Sequence, residues 1–173
     1  LEVRSQPGQG SSFIAWVPQA EEAAAIATDP SAADAGHLAP RPASGTELRV
    51  LYAEDNDINA ELVLEVLKLR PGCQVRVATS GAEALAMARE QAPDLFLLDM
   101  HLGDMSGFEL ARQLQEAPAL RDVPRVAFSA DAMPDQIHRA RDHGFSGYLT
   151  KPLDVKALLA CIDEHTDRVR RTG

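Results

Sequence analysis

The sequence predicts an α/β fold: an open, doubly wound sandwich on a parallel five-stranded sheet. From about residue 48, short apolar runs alternate with helix-length periodic segments five times over. The runs are near-continuously apolar or β-branched, as parallel strands covered on both faces must be. Right-handed crossovers between parallel strands place the intervening helices on both faces of the sheet.

The elements follow in order. Pro7-Gly8-Gln9-Gly10 and the apolar run Phe13-Ile14-Ala15-Trp16-Val17, closed by Pro18, read as a turn entering a strand. Residues 19–47 are rich in Ala, Pro, Ser, Gly and acids, with no sustained period, and read as a flexible linker. Within them Glu21–Ala27 reads as a short, marginal helix. The five strand runs are Val50–Ala53, Val75–Ala78, Leu95–Leu98, Val126–Phe128 and Tyr148–Leu149. In the first helix Ile58, Leu62, Val66 and Leu69 form one stripe at helical spacing, and Pro71-Gly72 stops it. Ser80 with Glu83, and Ser106 with Glu109, have capping-box spacing. Pro134 suits a first helical turn and Gly144 the residue after a helix end. Asp154 can cap the last helix, whose apolar face includes Leu158, Cys161 and Ile162.

Composition excludes several classes. The formal net charge of −9 argues against a nucleic-acid surface, which needs a basic face. The two cysteines, Cys73 and Cys161, make neither a disulfide framework nor a zinc site and read as small apolar residues in a reducing compartment. No run reaches the roughly 18 apolar residues a bilayer span needs. The start has neither signal-peptide pattern nor initiator Met, so the chain reads as a piece of a longer protein.

The chemistry-bearing residues fall at one place in each unit. Glu54-Asp55 follow the first strand, Asp99 the third, Ser129 the fourth and Lys151 the fifth. In open α/β sheets the ligand crevice lies at the carboxyl ends of the strands, at the topological switch point. With strand order 2-1-3-4-5, strands one and three are neighbours there and the three acids converge. Such a cluster repels itself unless compensated, and a hard divalent cation such as Mg²⁺ compensates it through oxygen ligands. Asp99 then reads as a nucleophile toward phosphorus, with Lys151 and Ser129 stabilising the phosphoryl oxygens. Each residue alone has a plainer role as cap, turn former or surface charge. Five suitable groups at the same end of four strands do not.

At these residues the chain resembles a known family. Val50-Leu51-Tyr52-Ala53-Glu54-Asp55-Asn56, Asp94 to Met100, Met105-Ser106-Gly107, Ser129-Ala130 and Tyr148-Leu149-Thr150-Lys151-Pro152 are similar to the response-regulator receiver domain of two-component signalling. The resemblance covers 48–166 and implies a flavodoxin-like (βα)5 fold and a receiver domain over 48–168, with 169–173 as a tail. It implies that Asp99 takes phosphate from a phosphohistidine and catalyses its own phosphorylation and dephosphorylation. It implies that Asp55 and Asp99 ligate Mg²⁺, Glu54 acts mainly through water, and the main-chain carbonyl of His101 adds a ligand. Ser129 and Lys151 would hold the phosphoryl group. Tyr148 would be the switch aromatic, turning inward as Ser129 moves, with the fourth helix, fifth strand and fifth helix as output face. The Lys151-Pro152 step is often cis in that family. One departure is Gly103, where the family often has Pro; the loop there is less restricted. His101 and Asp131, each two residues beyond a site residue, are candidates to tune the lifetime of the phosphorylated state.

Residues 5–18 resemble the last Gly-rich turn and strand of a histidine-kinase ATPase domain. The order then suits the end of a hybrid sensor histidine kinase, cytoplasmic here, with any membrane anchor outside this chain. The expected partners are the kinase core in cis, a histidine phosphotransfer protein, or both, and no nucleic acid. Two rivals are weaker. A haloacid-dehalogenase-type phosphatase would carry an acid at position 101 and its acidic pair last. A receiver that is never phosphorylated would lack part of the five-residue set.

Overall fold

The computed structural model describes residues 2–6, 10–14 and 47–172, and the chain divides into two compact units, Leu1–Ser31 and Ala32–Gly173. In the first unit β1 (Glu2–Gln6) pairs antiparallel with β2 (Gly10–Ile14), Gln6 opposite Gly10. The centre of the predicted turn, the end of the apolar run, the linker up to residue 46 and the marginal helix Glu21–Ala27 lie outside the described residues.

In the second unit five strands form one parallel sheet: β3 (Leu48–Ala53), β4 (Cys73–Ala78), β5 (Leu95–Asp99), β6 (Arg125–Ser129) and β7 (Gly147–Thr150). Their order is β4-β3-β5-β6-β7, the predicted 2-1-3-4-5. The connections are α1 (Asp57–Leu67), α2 (Gly81–Glu90), α3 (Gly107–Glu116) and α4 (Pro134–Asp142), and α5 (Val155–Thr172) closes the unit.

Strand alternation sorts the core into two layers. Leu48, Val50 and Tyr52 of β3 pack with Ala60, Val63 and Leu67 of α1 and Leu158, Leu159 and Ile162 of α5. Leu51 and Ala53, one step out of phase, pack with Ala84, Leu85 and Ala88 of α2, Leu110 and Leu114 of α3 and Ala140 of α4. Each buried leucine contributes about 1.5–3 kcal/mol. Cys73 and Cys161 are half-buried, and burial pushes both thiols up to about 12, so they stay protonated and serve as apolar filler.

Three expectations are corrected. The α1 stripe is only half right: Ile58 is 76% and Leu62 48% exposed, Val66 and Leu69 pack half-buried against the core, and Ala60, Val63 and Leu67 face the sheet. The helix has two apolar stripes, and the one with the smaller residues fits close to β3. It also ends at Leu67, short of Leu69. Both capping boxes form by half. Ser80 Oγ accepts the Glu83 amide and Ser106 Oγ the Glu109 amide. Glu83 turns back to Thr79 instead, and Glu109 is taken by Arg112 and Gln113. The end of the chain is helix rather than tail through Thr172. Other stops and starts are as read: Pro134 opens α4, Gly144 takes φ +78° after its end, and Asp154 Oδ1 accepts the Ala157 amide at 3.1 Å.

Candidate functional site

The sheet register builds the site. Ala53 of β3 is opposite Leu98 of β5, so Glu54 and Asp99, each one residue further on, leave the sheet side by side. Asp99 is also opposite Phe128, which brings Ser129 one step beyond it, and Ser129 is opposite Thr150, which brings Lys151. The next helix then opens with Asn56, whose Oδ1 accepts the Ile58 and Asn59 amides at 3.0 and 3.1 Å. That cap turns the chain directly after Glu54-Asp55 and keeps both acids at the rim.

Glu54, Asp55 and Asp99 each present a carboxylate oxygen, and these oxygens lie within 4.8 Å of one another. Glu54 and Asp99 are buried, and Asp55 is exposed. Lys151 Nζ donates to Glu54 Oε2 at 2.7 Å and to Asp99 Oδ2 at 2.8 Å. The His101 amide donates to Asp99 Oδ1 at 3.1 Å. Glu54 receives two more bonds, from Tyr52 Oη at 2.7 Å and Asn59 Nδ2 at 2.9 Å.

These partners divide the acids. Burial pushes the Glu54 carboxyl up, but bonds from Lys151, Asn59 and Tyr52 outweigh it and hold it below its ordinary value. Burial also pushes Asp99 up, the neighbouring Glu54 charge adds to this, and the bonds from Lys151 and His101 do not fully offset it. Burial lowers Lys151, yet its two carboxylates win and keep it charged. Three carboxylates thus face one ammonium, with oxygen donors only. That set fits a hard divalent cation, and His101 contributes no side-chain atom to it.

Ser129 is buried, and its Oγ accepts the Asp131 amide at 3.1 Å. Tyr148 is half-buried, and its hydroxyl donates to the Asp131 carbonyl at 2.5 Å. Ser129, Tyr148, His101 and Asp131 line a cavity of about 240 Å³ shared with Phe108 and Arg139. The Lys151-Pro152 peptide is cis. All the predicted site residues therefore lie at one end of the sheet. Tyr52 and Asn59, which hold Glu54, were not anticipated. Tyr52 is two residues before Glu54, a spacing that puts both side chains on one side of extended chain, which is the available signal.

Comparison with known proteins agrees with this fold. The family model of the response regulator receiver domain matches residues 50–163. The polar-differentiation response regulator DivK of Brucella ovis is 34% identical over 116 residues, covering 67% of this chain and 94% of that protein. The solved receiver domain of a signal transduction histidine kinase from Syntrophus aciditrophicus is 27% identical at TM-score 0.64, covering 73% of this chain and 95% of that one. The Mn²⁺-bound form of response regulator Rcp1 is 26% identical at TM-score 0.58, covering 68% and 90%. The fold and the site define a receiver of the two-component class. The chain belongs to the response regulator receiver family.

Proposed function

We propose that Asp99 accepts a phosphoryl group from a phosphohistidine, with Mg²⁺ bound at Glu54, Asp55, Asp99 and the His101 carbonyl. The observation that carries the reading is the cluster of three carboxylate oxygens within 4.8 Å, with Lys151 bridging Glu54 and Asp99. An Asp99 oxygen attacks phosphorus, the P–N bond breaks, and its electron pair leaves with the imidazole, neutral when its other nitrogen carries a proton. The product is an acyl phosphate. Lys151, freed from Asp99 Oδ2, and the Ser129 hydroxyl, freed from the Asp131 amide, stabilise the transferred oxygens. When bound, Mg²⁺ supplies the charge compensation that lets a phosphoryl group approach three acids. The Mn²⁺-bound Rcp1 supports a divalent ion here.

Moving Ser129 loosens the loop whose Asp131 carbonyl Tyr148 holds, which couples the site to α4, β7 and α5 as output face. The domain on this reading spans 48–168, after a kinase-domain remnant at 1–18 and a linker at 19–47. Its partners are a kinase core in cis or a histidine phosphotransfer protein in the cytoplasm, a reading the kinase-borne Syntrophus receiver supports. Among the described residues no helix is long and apolar enough to cross a membrane.

The test is incubation with a small-molecule phosphodonor, read by intact mass. Wild type should gain one phosphate with Mg²⁺ and none after chelation; Asp99→Asn should gain none. An adduct persisting in Asp99→Asn overturns the acceptor assignment. No adduct in wild type favours a receiver that works without phosphorylation.

A further inference from the structure

The loop between β5 and α3 carries the His101 main chain, and its far side is fastened to another element. Asp104 Oδ1 accepts the Gly81 amide at 2.9 Å and Oδ2 the Ala82 amide at 2.9 Å. These are the first two residues of α2, and Ser80 Oγ serves the third, Glu83, at 3.1 Å. The next residue, Met105, lies on the same helix start: a Cβ at Gly81 would sit 2.5 Å from Met105 Cγ. So one carboxylate and one apolar side chain, adjacent in the loop, grip one helix terminus.

A helix start offers unpaired N–H groups and partial positive charge, and charge-assisted bonds there are strong for an exposed residue. Within the loop, the Leu102 amide donates to the Met105 carbonyl at 3.2 Å and the Gly107 amide to the Met100 carbonyl at 3.1 Å. The His101 amide completes the chain to Asp99 Oδ1. The loop needs such a hold, because Gly103 imposes no φ restraint.

We infer that Asp104 is a positioning residue for phosphoryl transfer: its paired bonds to α2 fix the loop that presents the His101 main chain to Asp99 and the cation. This rests on Mg²⁺-dependent phosphorylation of Asp99.

The test compares Asp104→Ala, Asp104→Asn and Ser80→Ala in the full chain. Ser80→Ala removes a cap from the same helix start but leaves the loop fastened, so it controls for helix stability. Two readouts matter. One is hydrogen exchange at the His101, Leu102 and Gly107 amides without Mg²⁺. The other is the Mg²⁺ concentration for half-maximal phosphorylation, separated from the limiting rate. Asp104→Ala should speed that exchange and raise the half-saturating Mg²⁺ about tenfold, the low end for residues that orient metal ligands. Asp104→Asn keeps one acceptor oxygen and should fall between. Ser80→Ala should leave both readouts at wild-type values. If Asp104→Ala behaves like Ser80→Ala in both, Asp104 is a helix cap only. Should Asp104→Ala not fold, Asp104→Asn decides by the same comparison. If wild type takes no phosphate, the acceptor reading fails, and the exchange data still decide the loop hold.

Discussion

At the carboxyl end of the sheet Glu54, Asp55 and Asp99 face Lys151, with the buried acids pushed in opposite directions. Between α1 and α5 the arrangement differs: Arg70 Nε and Nη2 meet the two oxygens of buried Asp163 at 2.7 and 2.9 Å. At the amino end Arg49 meets Asp94 in the same bidentate way, at 3.0 and 2.8 Å. Where each acid meets an arginine, charge holds elements together. Where acids outnumber cations, their charge is under-compensated, a pattern that clusters at functional sites. Breaking a matched pair and removing a surplus acid should therefore act with opposite sign.

The largest stability effect belongs to the matched pair. Arg70→Met removes the guanidinium that meets Asp163 at 2.7 and 2.9 Å and should cost about 3–5 kcal/mol in urea unfolding. Arg70→Met with Asp163→Leu should recover most of that, because a packed apolar pair replaces a buried ion pair at little net cost. A loss under about 1 kcal/mol for Arg70→Met would erase the contrast.

Tyr52→Phe should come next. It removes a hydroxyl that donates to buried, ionised Glu54, a bond worth about 1.5–3 kcal/mol. It should also shift Glu54 upward, seen in a carboxyl titration by NMR.

The smallest effect has the opposite sign. Burial and the Glu54 charge raise Asp99 in the folded state. A carboxyl raised on folding contributes stability below its unfolded value and loses it as pH rises through its folded value. Above its folded value ionised Asp99 is thus a net cost, and there Asp99→Asn without Mg²⁺ should stabilise by about 0.5–2 kcal/mol. The gain should fade below the ordinary Asp range, and Mg²⁺ should stabilise wild type more than the variant.

Much of this was legible in the sequence, for a physical reason. Parallel strands read as continuous apolar runs, and Glu54, Asp99 and Ser129 follow the runs directly with Lys151 one residue later, so their register follows from the strand order. The α1 face was half misread because period alone cannot choose between Ile58-Leu62 and Ala60-Val63-Leu67, although Val66 and Leu69 of the predicted stripe do reach the core; the fit against β3 decides. The grip of Asp104 on Gly81 was invisible, since no local pattern joins residues 23 apart. The capping boxes failed by half because Thr79, Arg112 and Gln113 offered Glu83 and Glu109 better partners than the cap amide.

On the proposed function, the site delivers phosphorus to one oxygen-bearing side chain, Asp99, among several close acids. Borohydride reduction of the phosphorylated protein tests it directly, because it converts an acyl phosphate, and no free carboxylate, to the alcohol. Peptide mapping should place homoserine at position 99 and leave Glu54, Asp55 and Asp131 intact. A reduced residue at any of those three positions, or phosphate that resists borohydride on a histidine, would contradict the account.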